Sequence, residues 1–142
     1  MVFGTELGCQ KQLRKQERMN KIMDDNRQEQ IEALEVMAEF NERVLKNMRI
    51  LIKELSGARL DDTNKFIQSI VDAMNWEIEV MNGTMTLLNE GKERINKEDF
   101  NAHVVAVANA INAKDDAMMA EAFTNVLPYF EKLGEAAKEV LA

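Results

Sequence analysis

Apolar residues recur at alternating steps of three and four along most of this chain, the period of one face of an α-helix. The first stripe is Ile31, Leu34, Ala38, Asn41, Leu45, Met48, Ile52 and Leu55, with Asn41 its only polar member. Met37, Val44 and Leu51 widen it beyond the narrow seam of a coiled coil. A second stripe, Ile67, Val71, Met74, Ile78, Met81, Met85 and Leu88, keeps the same alternation without exception. That register predicts a helix running through Gly83, where glycine costs about 1 kcal/mol relative to alanine and so implies a close neighbouring helix. A third stripe carries Phe100, Val104, Val107 and Ile111. It either continues or breaks in "AKDDAMMAEAF", where Asp115 is a possible fresh cap, and Pro128 kinks or restarts whatever reaches it. The last segment, "PYFEKLGEAAKEVLA", has Phe130, Leu133, Val140 and Leu141 on its apolar side.

Capping residues bound these stripes. Asp25 with Gln28 opens the first helix and Gly57 stops it; Asp61 or Asp62 opens the second and Gly91 closes it; Asn96 with Asp99 opens the third. The implied helices are about 31, 29 and 37 residues long, and links of about five and six residues enforce antiparallel neighbours. The expectation is an all-α fold, an antiparallel up-down-up bundle of three long helices with a Pro-kinked C-terminal segment, resembling a four-helix bundle if the ends pack. Residues 26–142 form the bundle domain, and residues 1–25 a basic N-terminal arm, helical or frayed.

Composition supports the helical reading and adds an electrostatic one. Six glycines and one proline in 142 residues are too few turn residues for a strand-rich fold of this size. The net charge of −7 is uneven: Lys11, Arg14, Lys15, Arg18 and Lys21 against Glu6 and Glu17 make the first 21 residues +3 and the remainder −10. An acidic body repels nucleic acid and anionic membranes, and no apolar run approaches a membrane span. The single Cys9 excludes an internal disulfide framework, so a cytoplasmic location is expected.

Two places stand out as candidate sites. On a helical wheel Glu77 falls inside the apolar sector of the second helix among Phe66, Ile70, Ala73 and Val80, where a carboxylate needs a partner. Folding the first two helices about Arg59 brings Asn41 level with Glu77, and Lys114 of the third helix lies within about one turn of that level. These three residues are expected to form one internal polar layer that fixes register. Gln68, Asp72, Asn75, Glu79, Asn82 and Thr86 face water, leaving an apolar sector wide enough for two neighbours, so the second helix is expected to be central. Trp76 sits on the border between the sectors, where its ring packs and its N–H stays wet.

The candidate partner-binding residues are therefore Trp76 together with Lys11, Arg14, Lys15, Arg18, Met19 and Met23 of the arm. Met48, Met74, Met81, Met85, Met118 and Met119 lie on or beside the stripes, either as adaptable core filling or as a groove for apolar helices. In architecture alone, a short acidic Met-rich bundle resembles the small cytosolic chaperones that hold export substrates by helix-in-groove contact. The expected function is non-catalytic protein–protein interaction, adaptor or chaperone-like, with a protein partner or with itself as a homodimer. Neither cofactor nor resident metal is expected: Asp99 and the lone His103 are one turn apart, but the paired Glu-x-x-His motifs of a di-metal bundle do not occur. The alternative is a bundle with an internal small-molecule or metal site around Glu77.

Overall fold

The computed structural model describes residues 26–142. Within them the chain forms α1 (Arg27–Leu55), α2 (Thr63–Gly83), the single turn α3 (Met85–Leu88), α4 (Lys97–Ala113) and α5 (Asp116–Leu141). These helices pack into an all-α bundle.

The paired residues along the helices fix its topology. Asn41 meets Glu77 and Glu54 meets Thr63, so α1 and α2 are antiparallel. Lys138 binds Glu42, Glu131 binds Arg49 and Asp116 binds Arg59, so α5 also runs antiparallel to α1. Phe100 packs on Phe130 with ring centroids 4.9 Å apart, and a short turn joins α4 to α5, which makes that pair antiparallel as well. The result is four long helices running up, down, up and down, where the sequence reading expects three. The extra helix comes from the third stripe, which breaks at Lys114–Asp115 and reverses. Lys114 takes the left-handed conformation (φ 55°), and the Asp115 side chain accepts a hydrogen bond from Met118 N at 3.1 Å, capping α5. Helix α5 then continues through Pro128 without restarting.

The central pair is α1 and α5, with α2 against α1 and α4 against α5. This corrects the expectation that the second helix is the central one. Small residues are consistent with that pairing: Ala122, Gly134, Ala136 and Ala137 are buried on α5 and Ala38 on α1, and Gly134 lies directly against Asn41. The core around them is Leu34, Met37, Met48, Leu51, Met81, Phe123, Phe130 and Leu133, all fully buried, each side chain contributing about 2 to 3 kcal/mol of burial.

The ends differ in detail from the capping expectations. Asn96 accepts from Asp99 N at 3.1 Å and Gly57 has φ +115°, both as expected. Asp62 occupies the N-cap position of α2 but makes no cap hydrogen bond; buried Thr63 closes that end instead, accepting from Leu60 N at 2.8 Å and donating to Glu54 Oε1 at 2.7 Å. Helix α2 also stops at Gly83 and does not run through it. The Thr84 hydroxyl donates to the Val80 carbonyl at 2.7 Å while Thr84 N turns to Met81 O, a tightened last turn that ends the ladder. A Cβ at Gly83 would meet nothing within 4 Å, so no close helix explains that glycine. The expected Asp25 cap lies outside the described residues; α1 starts after Asn26, whose side chain makes no cap bond.

Candidate functional site

The internal layer is built by α1, α2 and α5. Asn41 Nδ2 donates to Glu77 Oε1 at 2.8 Å and to the Phe130 carbonyl at 3.1 Å, and both side chains are buried. The amide can sit there because α5 has Gly134 opposite it: a Cβ at that position would overlap Asn41 Oδ1 and lie 2.9 Å from Cγ. Glu77 Oε2 is buried without a hydrogen-bond partner. Burial pushes the Glu77 carboxyl up to about 7, against the Asn41 hydrogen bond, which lowers it. A carboxyl with one amide donor and no cation beside it keeps its proton up to about pH 7, and below that its chemistry is that of a packed polar group.

Lys114 is not part of this layer, a correction to the sequence reading. It is exposed in the α4–α5 turn, two residues from the Asp116 that pairs with Arg59 at one end of the bundle. Because α5 reverses direction there, the residues it brings level with Glu77 are Phe130 and Gly134. Sequence reasoning missed Gly134. The signal was a glycine in the interior of an amphipathic helix, the same argument applied to Gly83.

The second candidate is the outer seam between α1 and α2. Phe40 and Trp76 meet edge to face with centroids 5.2 Å apart, Trp76 remains 37% exposed, and Arg43 lies over the Phe40 ring at 5.5 Å. Val36, one turn from Phe40, is 57% exposed. Toward the α1 N-terminus the seam opens into a groove of about 580 Å³, floored by Ala33, Val80 and Met85 and beginning at Asn26. Gly83 lines it without a side chain, which keeps the groove open. Exposed acids flank the seam: Glu29, Glu32 and Glu39 on α1, Asp72 and Glu79 on α2. None of these five forms an ion pair with another described residue.

Of the methionines on the stripes, Met85 is half-buried and lines the groove between α1 and α2. Met37, Met48, Met74, Met81 and Met119 are buried, leaving Met118 as the exposed one among the large hydrophobic residues. The five buried ones fill the core, where their unbranched side chains adapt to gaps between unequal helices. Lys11, Arg14, Lys15, Arg18, Met19 and Met23 lie outside the described residues. His103 stacks on Tyr129 at 4.2 Å with its Nδ1 against the Asp99 backbone carbonyl, so it is not aimed at the Asp99 carboxylate. Among the described residues no group of three or more His, Cys, Asp or Glu side chains is placed to hold a metal ion, and no helix is long and apolar enough to cross a membrane.

A family described as "Domain of unknown function (DUF8042)" matches residues 32–136, and the chain belongs to that family. The matched span contains Phe40, Asn41, Trp76, Glu77 and Gly134 and begins beyond the basic segment. No curated protein and no solved structure matches the chain.

Proposed function

We propose that this protein is a non-catalytic cytoplasmic bundle, adaptor or chaperone-like, that binds an amphipathic helix of another protein along the α1–α2 seam. The observation that carries the reading is the Phe40–Trp76 pair. Trp76 and Val36 are exposed and Phe40 is half-buried beside an apolar groove, while Phe100, Phe123 and Phe130 are buried in the core. Large exposed aromatic anchors beside a concavity are the residues from which helix-in-groove binding draws most of its energy. The acidic rim selects a partner helix with basic flanks.

The reading is tested by placing a photo-crosslinking residue at Val36 and, as a control, at exposed Ala102 on α4, in cells. A discrete adduct from position 36 and none from position 102 is expected. Equal adducts from both, or none from position 36, would contradict it. The second reading, an internal small-molecule or metal site, draws on the unpartnered Glu77 Oε2. It is the weaker of the two because a single carboxyl facing one amide offers too few ligands for an ion.

A further inference from the structure

We infer that Gly83 is a specificity-determining residue of the α1–α2 seam: its missing side chain leaves a hole for one bulky apolar side chain of an amphipathic partner helix, whose second anchor, seven residues along, rests on the Phe40–Trp76 pair. The inference rests on reading the seam as a binding surface and specifies the residue pattern which that surface accepts.

The glycine has no use inside the fold. Glycine in a helix is unfavourable relative to alanine, and it is accepted where the backbone turns left-handed, where a neighbour packs against it, or where a ligand must come close. Gly57 and Gly91 have positive φ, and Gly83 does not. Gly134 gives way to the Asn41 amide, whereas a Cβ at Gly83 would meet nothing within 4 Å. The end of α2 does not require it either, because Thr84 closes the last turn through its own hydroxyl and N–H. The remaining use is clearance, and Gly83 does line the groove of about 580 Å³.

The walls of the hole select an apolar occupant with a cation nearby. Ala33 on α1 is small, as Gly83 is on α2, while Val80 and Met85 supply apolar surface. The flexible thioether of Met85 adapts to the shape of what enters. Glu29, one turn before Ala33, lines the same groove, is exposed and has no ion-pair partner among the described residues. A partner cation one turn from the first anchor meets that carboxylate.

The spacing follows from the two helices. Ala33 and Phe40 on α1, like Trp76 and Gly83 on α2, are seven residues apart, about 10 Å along the axis. Both sides of the seam therefore set the hole and the aromatic pair the same distance apart. A helix laid between them has the same rise, so its residues i and i+7, two turns apart on one face, meet both stations, and exposed Val36 meets the turn between.

The chain's single tryptophan reports the test in the intact protein, with two synthetic helical peptides of alanine and lysine that contain no tryptophan. One carries two leucines seven residues apart, on one face; the other has the same composition with its leucines five apart, on opposite sides. The first peptide is expected to shift Trp76 emission to the blue on titration and to bind about ten-fold more tightly than the second. Gly83→Leu and Ala33→Leu fill the hole from opposite walls, and each is expected to weaken the first peptide by about ten-fold. Gly83→Leu should nevertheless melt no lower than the parent, because leucine is the better helix former. No binding of the first peptide, equal binding of the two peptides, or undiminished binding to a filled variant that keeps the parent's helicity overturns the inference. If Val36 yields a cross-linked partner in cells while the peptides give one of those results, the seam remains a binding surface and only the pattern assigned to its partner is lost.

Discussion

Gly134→Ala is expected to lower the unfolding free energy by about 2 to 3 kcal/mol, although alanine is the better helix former by about 1 kcal/mol. An added methyl would occupy the place of the Asn41 amide, which cannot retreat without releasing Glu77 and the Phe130 carbonyl. Both would then be buried without their donor. The loss has two parts, overpacking and unmade hydrogen bonds, and the second disappears if the amide is already gone. In an Asn41→Ala background, where the methyl has room, Gly134→Ala is therefore expected to be neutral or stabilising. Urea denaturation of the four proteins forms a double-mutant cycle, and a coupling above about 1 kcal/mol is the expected result. A Gly134→Ala variant as stable as the parent would mean that α5 does not approach α1 as described.

The second large effect is a dependence of stability on pH. The Glu77 carboxyl is raised from its ordinary value of 4.5 to about 7 by burial, so between those values the folded chain holds a proton that the unfolded chain has released. Its contribution is fully present below pH 4.5 and is lost as pH rises through 7, a decline of about 3 kcal/mol. The surface carboxylates act in the opposite sense and lower in pH. Hydrogen bonds from Lys138, Arg27, Arg59 and Lys92 hold Glu42, Glu90, Asp116 and Glu139 below the usual range, and that support fades only as those groups are protonated. Denaturation midpoints at pH 5 to 8 should fall for the wild-type protein and stay level for Glu77→Gln, which keeps the acceptor for Asn41 without a charge to ionise. Subtracting the two profiles removes every other group. Parallel profiles would show that Glu77 ionises freely in the folded state.

Much of this arrangement is legible in the sequence because it follows from period and length. The stripe on α1 and the antiparallel arithmetic about Arg59 bring Asn41 opposite Glu77, and those two side chains do meet. The Asn96 cap depends on local spacing alone, and it too is found where the sequence places it. The break at Lys114 was less legible because a lysine, not a glycine, takes the left-handed turn, leaving only the cap at Asp115 to mark it. Once that reversal is missed, Lys114 falls wrongly beside Glu77 and α5 loses its place next to α1.

The two interior glycines show the same limit. Both violate helix propensity, but only the packing of α1 on α5 tells that Gly134 admits a neighbour's side chain while Gly83 ends a helix at the edge of an open groove. The seam is legible in part. Trp76 lies on a sector border of its own helix, whereas the exposure of Phe40 and Val36 depends on how far α2 covers α1, a distance no single-helix pattern contains.

Carbon-13 NMR of the glutamate carboxyls in the full chain, followed from pH 4 to 9, tests the central claim that the polar layer serves packing and the working surface lies outside it. One carboxyl, absent from the spectrum of Glu77→Gln, should titrate near 7 and be unmoved by zinc, magnesium or manganese. A Glu77 that titrates in the ordinary carboxylate range, or whose titration shifts when a divalent metal is added, would contradict the account and return the function to the core.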